Sequence, residues 1–232
     1  MRDHRYDLEA MAAKINDYTK IIYIANPDNP MGTYITRSEF DNFYTHVPER
    51  VLIILDEAYF EYAHDTADYP DSMTYRYDNV ITLRTFSKIY GLGGIRCGYG
   101  FAHDELITNL MKVKLPFEVS VTAHAAALAA LQDEDYVRRS IAVNSAGKQQ
   151  FEKAFQAMGF PYIESVTNFI TLIFNSSEQA SNFTQALLHE GVIVRHLVAF
   201  GVPDCVRITI GNEEENAFFL EKLELVATDF VS

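Results

Sequence analysis

The sequence predicts an α/β fold with a mainly parallel sheet, followed by a small α+β domain, and three observations carry that prediction. Short aliphatic runs recur as IIYIAN (21–26), VLIIL (51–55), VITLRTF (80–86) and CGYGFA (97–102). Stretches of helical periodicity alternate with them through the first half. Beyond one long helical stretch at 133–160 the order changes to strand, helix, strand, strand, helix.

Each element has its own warrant. DLEAMAAKINDY (7–18) spaces its apolar residues as a helix does, and IIYIAN then reads as a buried strand stopped by two prolines. Thr36 with Glu39 three positions on is a capping-box pattern ahead of Phe40 and Phe43, so a helix starts there. VLIIL is almost purely aliphatic, as expected of a central parallel strand covered on both faces. VITLRTF repeats the pattern, and CGYGFA adds glycines where a neighbour comes close to the backbone. Helices follow at roughly 104–114 and 120–132, and then the long helix of 133–160, with Gly159 near its end, which is expected to bridge two domains. FITLIF (169–174), SSEQASNFTQALLHEG (176–191), VIVRHL (192–197) and VRITIG (206–211) complete the second domain, with a last helix opened by Asn212 and Glu215. The boundary therefore falls between residues 1–132 and 133–232.

Composition narrows the function. With 232 residues and 48% apolar content the chain can bury a sizeable core. A formal charge of −13 argues against nucleic acid as a partner, because such binders present a basic face that displaces counterions. The two cysteines, Cys97 and Cys205, have neither metal-ligand nor redox spacing, which fits a reduced cytoplasmic protein. No run approaches ~20 apolar residues, and MRDHRYDLEA is too polar for a signal-peptide core, so no membrane is expected. The seven histidines are scattered without zinc-like spacing, and no protein-bound metal is expected.

Three strings hold the residues able to do chemistry. In TFSKIYGLGGIRCGYG (85–100), Lys88 lies beside the hydroxyls of Thr85 and Ser87, and Arg96 follows eight positions on. An amine that condenses with an aldehyde needs an anion site nearby if the cofactor is phosphorylated, and arginine offers a bidentate fork for phosphate. GLGG (91–94) supplies a tight turn able to return Arg96 toward Lys88. Alone, Lys88 reads as a surface lysine, and GLGGIR fails the GxGxxG pattern of a dinucleotide loop. VLIILDEAY (51–59) ends a strand on Asp56 with Tyr59 three residues later. An acidic strand end also suits the Mg²⁺ site of a nucleoside triphosphatase, but the GxxxxGK[ST] loop such enzymes require is missing. NPDNPMGT (26–33) holds Asn29 between Pro27 and Pro30, where asparagine is by itself a turn residue. Arg195 in GVIVRHL and Arg207 in CVRITIG interrupt apolar strings; each is either aimed at an anion or set on the wet face of an edge strand. Asn168, His196 and Phe200 nearby read as packing or loop residues.

In combination and in this order, NPDNPMGT, VLIILDEAY and TFSKIYGLGGIRCGYG resemble the pyridoxal-phosphate (PLP) dependent aminotransferases of fold type I, and among these the histidinol-phosphate aminotransferases. The resemblance runs from about residue 6 to the final helix. It implies a PLP-binding large domain, incomplete here, over 1–132 and a small C-terminal domain over 133–232. It further implies that Lys88 bonds the cofactor and moves the proton, that Asp56 pairs with the protonated ring nitrogen, and that Asn29 and Tyr59 contact the ring oxygen. Thr85, Ser87 and Arg96 would anchor the phosphate, and Arg207, assisted by Arg195, the substrate anion. The reaction implied is ping-pong transamination of histidinol phosphate with 2-oxoglutarate, in histidine biosynthesis, by a cytoplasmic homodimer. Aromatic amino acid transamination and threonine-phosphate decarboxylation are alternatives within the fold; a non-catalytic remnant serving as a binding module is the alternative outside it. The chain departs from the family in two places. The family's first third, which supplies early strands, a loop gripping the phosphate and an aromatic stacked on the ring, has no counterpart, so a fragment or a fold completed by another chain is expected. Met31 stands where NPNNPTG has threonine.

Overall fold

Four short strands rich in aliphatic residues build the first sheet of the computed structural model, which describes residues 1–231. Strands β1 (Ile21–Ala25), β2 (Leu52–Asp56) and β3 (Val80–Thr85) run parallel, and β4 (Gly98–Ala102) closes the edge antiparallel to β3. They belong to a unit made of Met1–Asp28 with Tyr34–Arg138; the second unit is Asn29–Thr33 with Arg139–Ser232. The architecture is a mixed α/β unit with a mostly parallel sheet and a separate α+β unit, as the sequence predicts.

In the first unit the sequence dictates which sheet face is covered. Ile22, Ile24, Ile53, Leu55 and Val80 point to one side, where they pack with Phe40 and Phe43 of α2 (Arg37–Tyr44). Each such side chain contributes roughly 1.5–3 kcal/mol on burial. Thr36 and Glu39 make the capping box that the sequence foretells. On the opposite side Ile21 is 57% and Tyr23 53% exposed, and Leu52 and Ile54 are half-buried. The expectation that β2 is covered on both faces is therefore corrected to one face. Helix α1 (Leu8–Ala12) is also shorter than its periodicity suggests. Thr19 Oγ1 accepts the Asn16 N–H at 3.0 Å and Asn16 Oδ1 the Tyr18 N–H at 2.9 Å, a local alternative that ends the helix. Helices α3 (Phe60–Ala63), α4 (Asp104–Val113) and α5 (Val121–Gln132) complete the unit.

Helix α6 (Glu134–Met158) begins in the first unit and has most of its length in the second. The second sheet is antiparallel throughout, in the order β5 (Tyr162–Ile163), β6 (Phe169–Ile173), β8 (Cys205–Thr209), β7 (Arg195–His196). Phe151 and Phe155 of α6, Phe183 and Leu187 of α7 (Ser177–His189), and Phe219 and Leu223 of α8 (Glu213–Val226) bury Ile170, Leu172, Val206 and Ile208. Strand β7 is shorter than VIVRHL implies. Gly191 takes φ +83°, and the Val192 N–H donates to the Leu187 carbonyl at 2.9 Å, so Val192 closes α7 instead of pairing in the sheet. Among the described residues no helix is long and apolar enough to cross a membrane, and no three His, Cys, Asp or Glu side chains gather as a metal site.

Candidate active site

The parallel strands of the first unit all end at one edge, and that edge carries Asp56, Tyr59 and Lys88. Asp56 is the last residue of β2; just past it the Glu57 N–H donates to the Leu83 carbonyl at 2.8 Å and ties the end of β2 to β3. The Asp56 carboxylate, half-buried, accepts the Ala58 N–H at 3.1 Å on Oδ1 and the Tyr23 hydroxyl on Oδ2. Tyr59 is buried at the start of α3, and Lys88 Nζ stands 5.2 Å from its ring centre. Beyond β3 the Ser87 N–H donates to Thr85 Oγ1 at 3.0 Å, which turns the chain out so that the Lys88 side chain is exposed. The Phe86 N–H bonds the Cys97 carbonyl at 3.1 Å and the Leu92 N–H the Phe86 carbonyl at 2.9 Å. This folded-back loop returns Arg96, in the left-handed conformation at φ 60°, to the strand end, where its guanidinium donates to the Gly93 carbonyl at 2.6 Å.

On the covered face lies an ion pair that motif reading passed over. Arg84 of β3 donates through Nε and Nη2 to Glu57 at 2.9 and 2.8 Å and through Nη2 to Asp71 at 2.9 Å, with its guanidinium carbon 3.4 Å from the Phe60 ring centre. Burial pushes the Glu57 carboxyl up to about 7, outweighing the pull of Arg84. Because Glu57 follows Asp56 and Arg84 precedes Thr85, the pair clamps together the two strand ends that bear the candidate residues. An acidic end on one aliphatic strand followed by an arginine inside the next is the signal available in sequence.

In the second unit, Asn29 and Arg207 meet. The Arg207 guanidinium donates to Asn29 Oδ1 and lies 4.9 Å from the Phe169 ring centre. Arginine only donates, so this bond leaves the Asn29 amide NH₂ facing elsewhere. Thr171 Oγ1 donates to the Pro30 carbonyl at 2.7 Å, and Met31, fully buried, packs with Ile163, Leu197 and Cys205; residues 29–33 are thereby stitched to the second sheet. Arg195 is exposed and stands directly opposite Arg207 across β7 and β8, with its guanidinium carbon 5.8 Å from the Phe200 ring centre. Like charges directly opposite on adjacent strands are destabilising unless an anion relieves them. Asp56, Tyr59, Thr85, Ser87, Lys88 and Arg96 thus group in the first unit, and Asn29, Arg195 and Arg207 in the second.

Comparison with known proteins gives this arrangement its relatives. The family model described as aminotransferase class I and II matches residues 1–223. Histidinol-phosphate aminotransferase 1 of Nitrosococcus oceani is 47% identical over 227 residues, covering 97% of this chain and 60% of that protein. Histidinol-phosphate aminotransferase 2 of Carboxydothermus hydrogenoformans is 42% identical over 228 residues, covering 97% of this chain and 62% of its own length. The crystal structure of histidinol-phosphate aminotransferase from Sinorhizobium meliloti in complex with pyridoxal-5'-phosphate superposes with a TM-score of 0.90 at 31% identity, over 98% of this chain and 62% of that one. The chain therefore spans about 60% of the length of the curated relatives it matches. On the strength of the family match and the shared fold, this chain belongs to the class I and II aminotransferase family.

Proposed function

We propose that the chain takes part in PLP-dependent transamination, with histidinol phosphate as amino donor and 2-oxoglutarate as acceptor. The observation that carries the reading is the convergence of an amine, Lys88, and a carboxylate, Asp56, at adjacent parallel strand ends with the buried Tyr59 ring between them in sequence and 5.2 Å from the amine. The donor set fits the cofactor: a carboxylate for a pyridinium, a phenol for the ring oxygen, hydroxyls and an arginine for phosphate, and a solvent-accessible lysine for the aldehyde. When bound, PLP supplies an electron sink that acidifies the Cα–H of an amino acid or amine.

The residues then divide the work. Asp56 holds the proton on the ring nitrogen. Thr85, Ser87 and Arg96 hold the phosphate, which gives remote binding energy to orient the reacting end. The Lys88 amine accepts the Cα proton of the amino donor and later returns a proton, as base and then acid. Tyr59 donates to the ring oxygen, and Asn29 is a further cofactor-binding residue. Arg207 and Arg195 recognise the substrate's anionic groups, a carboxylate or a phosphate, through paired N–H donors. The large domain spans 1–132 and the small one 133–232, and the working protein is a cytoplasmic homodimer. Adding PLP to purified protein and recording absorbance near 420 nm tests the reading: a band that appears supports it, and no uptake favours a non-catalytic binding module.

A further inference from the structure

Tyr23 belongs to no motif, yet its hydroxyl donates to Asp56 Oδ2. Register explains the contact: Tyr23 pairs with Ile54 on β2 and Ala25 with Asp56, so the Tyr23 ring lies diagonally behind the Asp56 side chain on the same sheet face. That face is the more open one, and Tyr23 is 53% exposed beside Ile21, Leu52 and Ile54. On an open face the hydroxyl of such a ring is free to stay in water. The hydroxyl answers instead to the carboxylate, whose other oxygen is satisfied by the Ala58 N–H at 3.1 Å.

We infer that Tyr23 is a positioning residue for Asp56: its O–H fixes the carboxylate rotamer and stabilises the anion, so that the shared proton sits on the cofactor's ring nitrogen and not on Asp56. The inference rests on the PLP reading above. Its physical basis is that a hydrogen bond donated to the charged form of an acid favours that form. Removing the donor makes Asp56 the stronger base and draws the proton from the ring toward the carboxylate. The phenol remains a donor throughout the working pH range, since burial and the Asp56 carboxylate both raise its pKa. Tyr6, the neighbouring phenol, is committed elsewhere: it accepts the Ala25 N–H at 3.3 Å, and burial, with Asp28, pushes it up to about 12.

The test loads purified wild-type protein and Tyr23→Phe with PLP labelled with ¹⁵N in the ring and records the ring-nitrogen resonance, with PLP affinity and melting temperature measured alongside. Phe keeps the half-exposed ring and removes one oxygen, so the variant retains the fold. The expected result is a wild-type resonance in the pyridinium position, a Tyr23→Phe resonance moved toward unprotonated pyridine, about ten-fold weaker PLP binding and an unchanged melting temperature. A Tyr23→Phe resonance and affinity equal to wild type would overturn the inference and leave the PLP reading intact. A wild-type chain that takes up no PLP, or holds it with an unprotonated ring, would overturn the reading and this inference with it.

Discussion

Lys88 Nζ stands 5.2 Å from the centre of the Tyr59 ring, which places the amine borne by the end of β3 against the phenol borne by the end of β2. An ammonium at this distance gains roughly 0.5–1 kcal/mol from the ring. Tyr59 is only 5% exposed, so the ring is also structural. Tyr59→Phe is expected to melt within a few degrees of wild type and to bind PLP several-fold more weakly. Tyr59→Ala should lose about 3–5 kcal/mol of stability in denaturant unfolding.

Asp56→Asn preserves shape and removes charge. The carboxylate is half-buried and needs no cation for the fold, so the variant should retain its melting temperature. PLP affinity should fall by more than ten-fold, measured by fluorescence titration, because a neutral amide cannot hold a proton on the ring nitrogen.

Arg84 and Glu57 are expected to respond to mutation far more severely. Arg84→Met leaves Glu57 buried without its partner and should cost about 3–5 kcal/mol. The pair also sets a pH signature. Because the folded-state pKa of Glu57 is raised to about 7, above the usual carboxylate range, the folded protein holds the proton more tightly than the unfolded chain. Its contribution to stability is complete below the unfolded pKa and is lost as pH rises through 7. The melting temperature of wild type minus that of Glu57→Gln should therefore decline between pH 5 and pH 8.

Gly32 adopts φ +81°, and a Cβ added there would lie 2.2 Å from Ser165 Oγ and 3.3 Å from Ser165 Cα. The Val166 N–H also bonds the Gly32 carbonyl at 2.9 Å, which holds the two segments at that spacing. Gly32→Ala should destabilise the protein by about 1–3 kcal/mol, read in urea unfolding, while Gly94→Ala, whose Cβ meets nothing within 4 Å, should be close to neutral.

Much of this was legible in the sequence where a local rule governs. The aliphatic runs became β1 to β4, and the capping boxes at Thr36 and Asn212 formed as spelled. The strings around Asp56 and Lys88 marked the edge at which parallel strands end. What could not be read depends on contacts distant in sequence. The Arg84 pair with Glu57 joins two strands, and the Tyr23 bond to Asp56 exists only through register. The attachment of residues 29–33 to the second unit rests on Thr171 and on Met31 among Ile163, Leu197 and Cys205. The open side of β2 was equally hidden, because an aliphatic strand reads alike whether one face or two are covered.

Covalent capture is the most direct test of the central claim. Purified protein is incubated with PLP, reduced with borohydride, digested and mapped by mass spectrometry. One pyridoxyl-phosphate adduct is expected, on the peptide containing Lys88, and none on that peptide in Lys88→Ala. An adduct spread over surface lysines, or equal labelling of Lys88→Ala, would contradict it.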